Sequence, residues 1–165
     1  MTRLTGPDEE QESLAVLLLP GRLEGIACEE HARGLLSIPR VLALEPPRLK
    51  LSRFVREGAA GRQASRLRLP GEPRLLVLYH PAQYPLARAL CARYEDTELW
   101  YIPPGRESLE AAEQESDDLA RARATQVLEP GPDGAVDDAS LRGRLRELGV
   151  ISPYAFVPGA RARRR

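Results

Sequence analysis

The sequence predicts an α/β fold: a three-layer, Rossmann-like sandwich around a mainly parallel sheet of about five strands. Three observations predict it. Short apolar runs alternate along the chain with segments of helical spacing. The runs are continuous rather than alternating apolar and polar, the pattern of strands covered on both faces. Each run is also cut by a proline, in "AVLLLPG", "VLALEPP", "LLVLYHP", "LWYIPPG" and "TQVLEPG". A strand in the middle of a sheet has no place for proline, which lacks a ladder donor, so proline marks where a strand stops.

The runs place strands over residues 14–19, 40–44, 75–79, 98–102 and, more weakly, 125–128. Helices fall between them. Residues 26–36 ("IACEEHARGLL") carry Ile26, Ala27, Leu35 and Leu36. Residues 54–69 are Arg-rich, with a thin stripe of Val55, Ala59, Ala64 and Leu67. Residues 86–94 put Leu86, Leu90 and Tyr94 on one side at a spacing of four. Residues 107–124 run from acidic to basic, with Leu109, Ala112 and Leu119. Residues 139–148 carry Leu141, Leu145 and Leu148, and Asp138 or Ser140 is placed to cap that helix. Strand–helix alternation repeated in this way calls for right-handed crossovers between parallel strands. Trp100 and Tyr101 lie in a strand and are expected in the core.

In an open α/β sheet, the loops after the carboxyl ends of the strands form the ligand crevice. One rim therefore collects Pro20, Gly21 and Arg22; Glu45; His80, Pro81 and Gln83; Pro103, Pro104, Gly105 and Arg106; and Glu129. His80 reads as the end of a buried strand, held by a rigid turn, with Gln83 and Tyr84 opening the next helix. It suits a substrate hydrogen-bonder or weak general base. The plainer reading, which stands ahead of that one, is a histidine capping the strand and bonded to backbone. Gly21 and Gly25 flank Arg22 before a helix, where anions are attracted, yet a plain strand-to-helix turn explains them. Glu45 and Glu129 each follow a strand, and two carboxylates on one rim suit an acid–base pair only if they face each other. His31, beside Glu29 and Glu30 in mid-helix, reads as a surface residue. "CEEH" has no metal geometry, because adjacent helix residues do not converge on one ion.

Composition bounds the rest. The chain has 165 residues and zero formal net charge, so it can bury a core and carries no global field for nucleic acid. Arginine outnumbers lysine overwhelmingly, Lys50 being the one lysine, which reads as genome bias rather than function. Cys28 and Cys91 stand in separate helices without metal spacing. The polar, acidic start is unlike a signal peptide, and the run at 14–19 is too short to span a bilayer. A cytoplasmic protein with reduced thiols is expected. The organisation expected is a flexible stretch over 1–12, one α/β domain over 13–157 and a basic disordered tail over 158–165. In that tail Arg161, Arg163, Arg164 and Arg165 suit weak contact with anionic lipid, although a solubility tail is the simpler reading. There is no GxGxxG, P-loop, GxSxG or HExxH, and nothing calls for a metal or other cofactor.

Taken together, "EEHARGLLSIPRVLALEPPRL" and "RLLVLYHPAQYPLARALCARYEDTELWYI" resemble the N-terminal domain of GT-B-type glycosyltransferases. The matching residues are Glu30 to Arg33, the strand ending at Pro47, the His80-Pro81 stop and Leu99 to Tyr101. The resemblance covers about residues 14–102. It implies a Rossmann-like half that mainly faces the sugar acceptor, with the nucleotide-sugar donor held by a second domain that 165 residues leave no room for. After Ile102 the sequence departs from the family pattern. The expected function is a glycosyltransferase-like domain that binds a sugar acceptor or nucleotide-sugar at the rim. Transfer would need a protein partner supplying the other half. Gly21 and Arg22 would meet phosphate or an acceptor hydroxyl, and Glu45, His80 and Gln83 would hydrogen-bond the acceptor. The alternative is a non-catalytic interaction module on the same scaffold. A small hydrolase is disfavoured by the lack of a nucleophile motif.

Overall fold

The computed structural model describes residues 12–20, 26–45 and 53–151. Strands β1 (Ser13–Leu18), β2 (Val41–Leu44), β3 (Glu72–Leu78), β4 (Glu98–Tyr101) and β5 (Gln126–Val127) alternate with helices α1 (Ile26–Leu36), α2 (Arg53–Arg66), α3 (Tyr84–Arg93), α4 (Ala111–Arg123) and α5 (Asp138–Glu147). The sheet runs β2-β1-β3-β4-β5, and every neighbouring pair is parallel. The architecture is the three-layer, Rossmann-like α/β sandwich that the continuous apolar runs predict.

The layers follow from the two-residue period of the strands. Ala15, Leu17, Leu75, Val77, Tyr79, Trp100 and Ile102 face one way and pack on Cys28, Ala32 and Leu35 of α1 and on Leu141 and Leu145 of α5. Val16, Leu18, Leu76, Leu78, Leu99 and Tyr101 face the other way, against Ala60 and Ala64 of α2, Leu86 and Leu90 of α3 and Ala120 of α4. The β1-to-β2 connection steps in one direction across the sheet, and the next three step in the other. Uniform crossover handedness must then put α1 on one face and α2, α3 and α4 on the other, as observed. The chain reverses direction between β1 and β3, which is where such sheets open a crevice.

Four expectations are corrected. β3 begins at Glu72, earlier than the apolar run, and contains the buried Pro73 in a central strand. It is tolerated because it lies near the strand start, before β4 pairing begins at Leu75, and next to a register shift: Leu14 pairs Pro73 while Ala15 pairs Leu75, leaving Arg74 as the extra residue. The expected helix over 107–124 is a 3-10 turn at Arg106–Ser108 followed by α4. Within it Leu119 is 39% exposed, and Asp117 and Ala120 are the fully buried positions. In α1, Leu36 is 37% exposed while His31 is buried at 7%; the inward stripe is Cys28, His31, Ala32 and Leu35. Finally, Asp137 caps α5, accepting from the Ser140 N–H at 3.2 Å, which releases the Asp138 carboxylate for other bonds.

No helix of the described residues is long and apolar enough to cross a membrane. The expectations for 1–11 and for the tail arginines Arg161, Arg163, Arg164 and Arg165 lie outside the described residues.

Candidate functional site

The prolines do stand where the strands end. The parallel ladder continues one residue past β1, β4 and β5, through Leu19 N–H to Leu44 O, Ile102 N–H to Leu78 O and Leu128 N–H to Tyr101 O. Pro20 and Pro103 follow at once, and Pro130 follows after Glu129. A cleft of about 420 Å³ opens above these ends. Its floor and walls include Tyr79 and His80 from the end of β3, the 102–107 loop after β4, Arg121 of α4 and Glu129 to Pro132 after β5. Prolines fix φ, so much of this wall is rigid before any ligand arrives.

Of the expected site residues, His80 lines the cleft. Its Nδ1 accepts the Ala82 N–H at 3.1 Å, capping the turn at Pro81–Gln83. Nδ1 is therefore the unprotonated nitrogen, and the protonated Nε2 lies 3.2 Å from Glu113 Oε2 of α4. That arrangement ties β3 to α4 and leaves no ring lone pair for a base; His80 matches the capping reading. Gln83 does not line the cleft. It is buried, its Nε2 donates to Leu19 O at 2.7 Å, and its Oε1 has no partner among the described residues. Its amide holds the end of β1 against the start of α3. Glu45 is exposed at the end of the edge strand β2 and is not part of the cleft wall. β2 and β5 are opposite edges, four strand spacings or roughly 19 Å apart, so Glu45 and Glu129 do not form an acid–base pair. Gly21 and Arg22 lie outside the described residues.

Two polar networks that sequence reasoning missed flank the cleft, one in each layer. Beneath Tyr79, His31 Nδ1 lies 2.6 Å from Asp138 Oδ1 and its Nε2 3.0 Å from the Tyr79 hydroxyl. Asp138 Oδ1 accepts from the Nδ1–H, so the neutral ring accepts at Nε2 from the Tyr79 O–H. Asp138 Oδ2 also accepts from Arg142 Nε at 3.0 Å. Burial lowers the His31 pKa below its ordinary 6.5, the Asp138 bond opposing that in part. Burial, with Cys28 and Asp138 nearby, raises Tyr79 well above the usual phenol range, so it remains a neutral phenol.

In the opposite layer, the fully buried Asp117 accepts from the Tyr101 hydroxyl at 2.6 Å and from Arg121 Nε at 3.0 Å. Arg121 reaches out to Glu129, and Arg106 lies 3.2 Å from Asp118 and 3.9 Å from Asp117. Burial and the Asp117 bond push the Tyr101 pKa far up. A buried carboxylate is tolerable only when both oxygens are bonded in this way. The signals for both networks were present as helical spacings: Asp117 with Arg121 and Asp138 with Arg142, each four apart, and His31 three residues after Cys28 on an inward stripe. Among the described residues, no three His, Cys, Asp or Glu side chains come together as a metal ion would require.

No protein-family model, curated protein or solved structure matches this chain. Fold and site geometry therefore carry the functional argument.

Proposed function

We propose that the cleft binds a sugar, as the acceptor-side half of a glycosyltransferase-like protein. The observation that carries this reading is the placement of the cleft. It opens at the carboxyl ends of β1, β3, β4 and β5, where this fold class takes ligands. Its polar lining of Arg106, Glu107, Arg121 and Glu129, interleaved with prolines and glycines, suits hydroxyl groups that both donate and accept. The resemblance of residues 14–102 to GT-B acceptor domains points the same way.

One observation favours the second reading, a non-catalytic interaction module. His80, Arg121 and Glu129 are engaged with other protein groups, and such a wall binds without performing chemistry. Thermal shift against simple glycosides, free nucleotides and nucleotide-sugars separates the two. A saturable rise with a glycoside, retained by Glu45→Ala and lost in His80→Ala, supports sugar binding, because a ligand that binds only the folded state stabilises it. A flat response at millimolar ligand moves the assignment to the interaction module.

A further inference from the structure

We infer that the cleft prefers a sugar carrying a protonated amine and rejects phosphate-bearing ligands, an inference that rests on the sugar-binding reading above. The starting point is how the cleft-lining charges are engaged. Arg121 is held from two sides, by Asp117 and by Glu129. Arg106 is held by Asp118, with Asp117 behind it. Neither guanidinium is free to clamp a phosphate, which needs unengaged donors.

The anionic side differs. Glu107 lines the cleft and makes no hydrogen bond or ion pair with any described residue. It folds back over Gly105: a Cβ there would lie 2.8 Å from Glu107 Oε1. Of the four charged side chains that line the cleft, Arg106, Arg121 and Glu129 each have an ion-pair partner, and Glu107 has none among the described residues. A diphosphate entering would meet the unpaired Glu107 carboxylate and would have to break the pairs that hold Arg106 and Arg121. An ammonium beside ring hydroxyls would meet an unpaired acceptor at Glu107. The selectivity is electrostatic and screened by salt, so it is a preference layered on hydroxyl recognition.

The test is titration of the full chain with glucose, glucosamine and glucose 6-phosphate, followed by amide chemical shifts of residues 102–107 and 129–131. Glucosamine is expected to bind about threefold more tightly than glucose, the scale of one exposed ion pair. Glucose 6-phosphate is expected to bind more weakly than glucose. In Glu107→Gln, an exposed change that leaves the fold intact, the ratio of glucosamine to glucose affinity falls to about one, whatever happens to the glucose affinity itself. Tighter binding of the phosphate, or an amine preference that survives Glu107→Gln, overturns the inference and leaves sugar binding standing. If no sugar shifts these amides, sugar binding itself fails and the inference falls with it.

Discussion

His31 Nδ1 stands 2.6 Å from the Asp138 carboxylate, joining positions 107 residues apart. With the Tyr79 hydroxyl on the other nitrogen, one buried imidazole ties α1 to β3 and α5 directly below the cleft. Its removal leaves Tyr79 O–H and Asp138 without their partner. His31→Ala is expected to cost about 2–3 kcal/mol, the price of stranding a buried polar group together with a small cavity. Urea unfolding of both proteins at pH 7.5 checks it.

The same imidazole sets a pH dependence. Its folded pKa is lowered below 6.5, with burial the main cause. The unfolded chain therefore binds the proton first. The stability linked to this group is complete above 6.5 and is lost as pH falls through the folded pKa. The wild type is expected to lose stability between pH 7 and pH 5, and His31→Gln to show a shallower slope over that window. Equal slopes in the two proteins would mean that His31 is not the group being titrated.

Asp117 is the fully buried acid of the opposite layer, bonded to Tyr101 and Arg121. Asp117→Ala strands the Tyr101 hydroxyl in the core and is expected to cost about 3 kcal/mol or more. Tyr101→Phe alone leaves Asp117 its Arg121 bond and should cost about 1–2 kcal/mol. A double-mutant cycle between the two positions should return a coupling of about 1 kcal/mol or more. Additive costs would deny the bond its role.

Two glycines make a matched pair. A Cβ at Gly71 would stand 2.2 Å from the Glu12 backbone oxygen, where β3 starts beside β1. Neither backbone can yield cheaply, so Gly71→Ala is expected to destabilise by about 1–3 kcal/mol. At Gly143, inside α5, a Cβ meets nothing within 4 Å. Gly143→Ala should stabilise by about 0.5–1 kcal/mol through helix propensity. Midpoints of thermal unfolding give both signs.

Cys91 offers a chemical check on packing. Burial pushes its thiol from 9.0 up to about 11. Its thiolate fraction at pH 8 is then about a hundredfold below that of an unperturbed thiol, and the thiolate is the reactive form. Iodoacetamide labelling of Cys91, followed by mass spectrometry, should be correspondingly slow in the native protein and fast in urea.

The strand–helix order was legible because burial on both faces forces continuous apolar runs and because proline cannot continue a central strand. These local constraints located all five strands to within a few residues, and they set α1 at the bounds observed, Ile26–Leu36. Pro73 was the exception. A register shift against β1 makes room for it, and a shift between strands far apart in sequence leaves no local signal.

The cleft was only half legible. Its position on the rim and its His80 came from the strand ends. The partners of His80, the exclusion of Glu45 and the engagement of Arg121 did not.

What the sequence by itself determined is the alternation of elements, the mainly parallel sheet and the rim where the strands stop, since each rests on the preferences of neighbouring residues. What only the tertiary structure decided is the strand order, the inward turn of His31 and the long-range partners of Asp117 and Asp138, Tyr101 in one layer and His31 in the other. A charged or titratable side chain on a helix looks the same in sequence whether it meets water or a partner. The choice is made when packing brings together groups up to 107 residues apart, and an unpaired charge there would cost more than the fold has to spare.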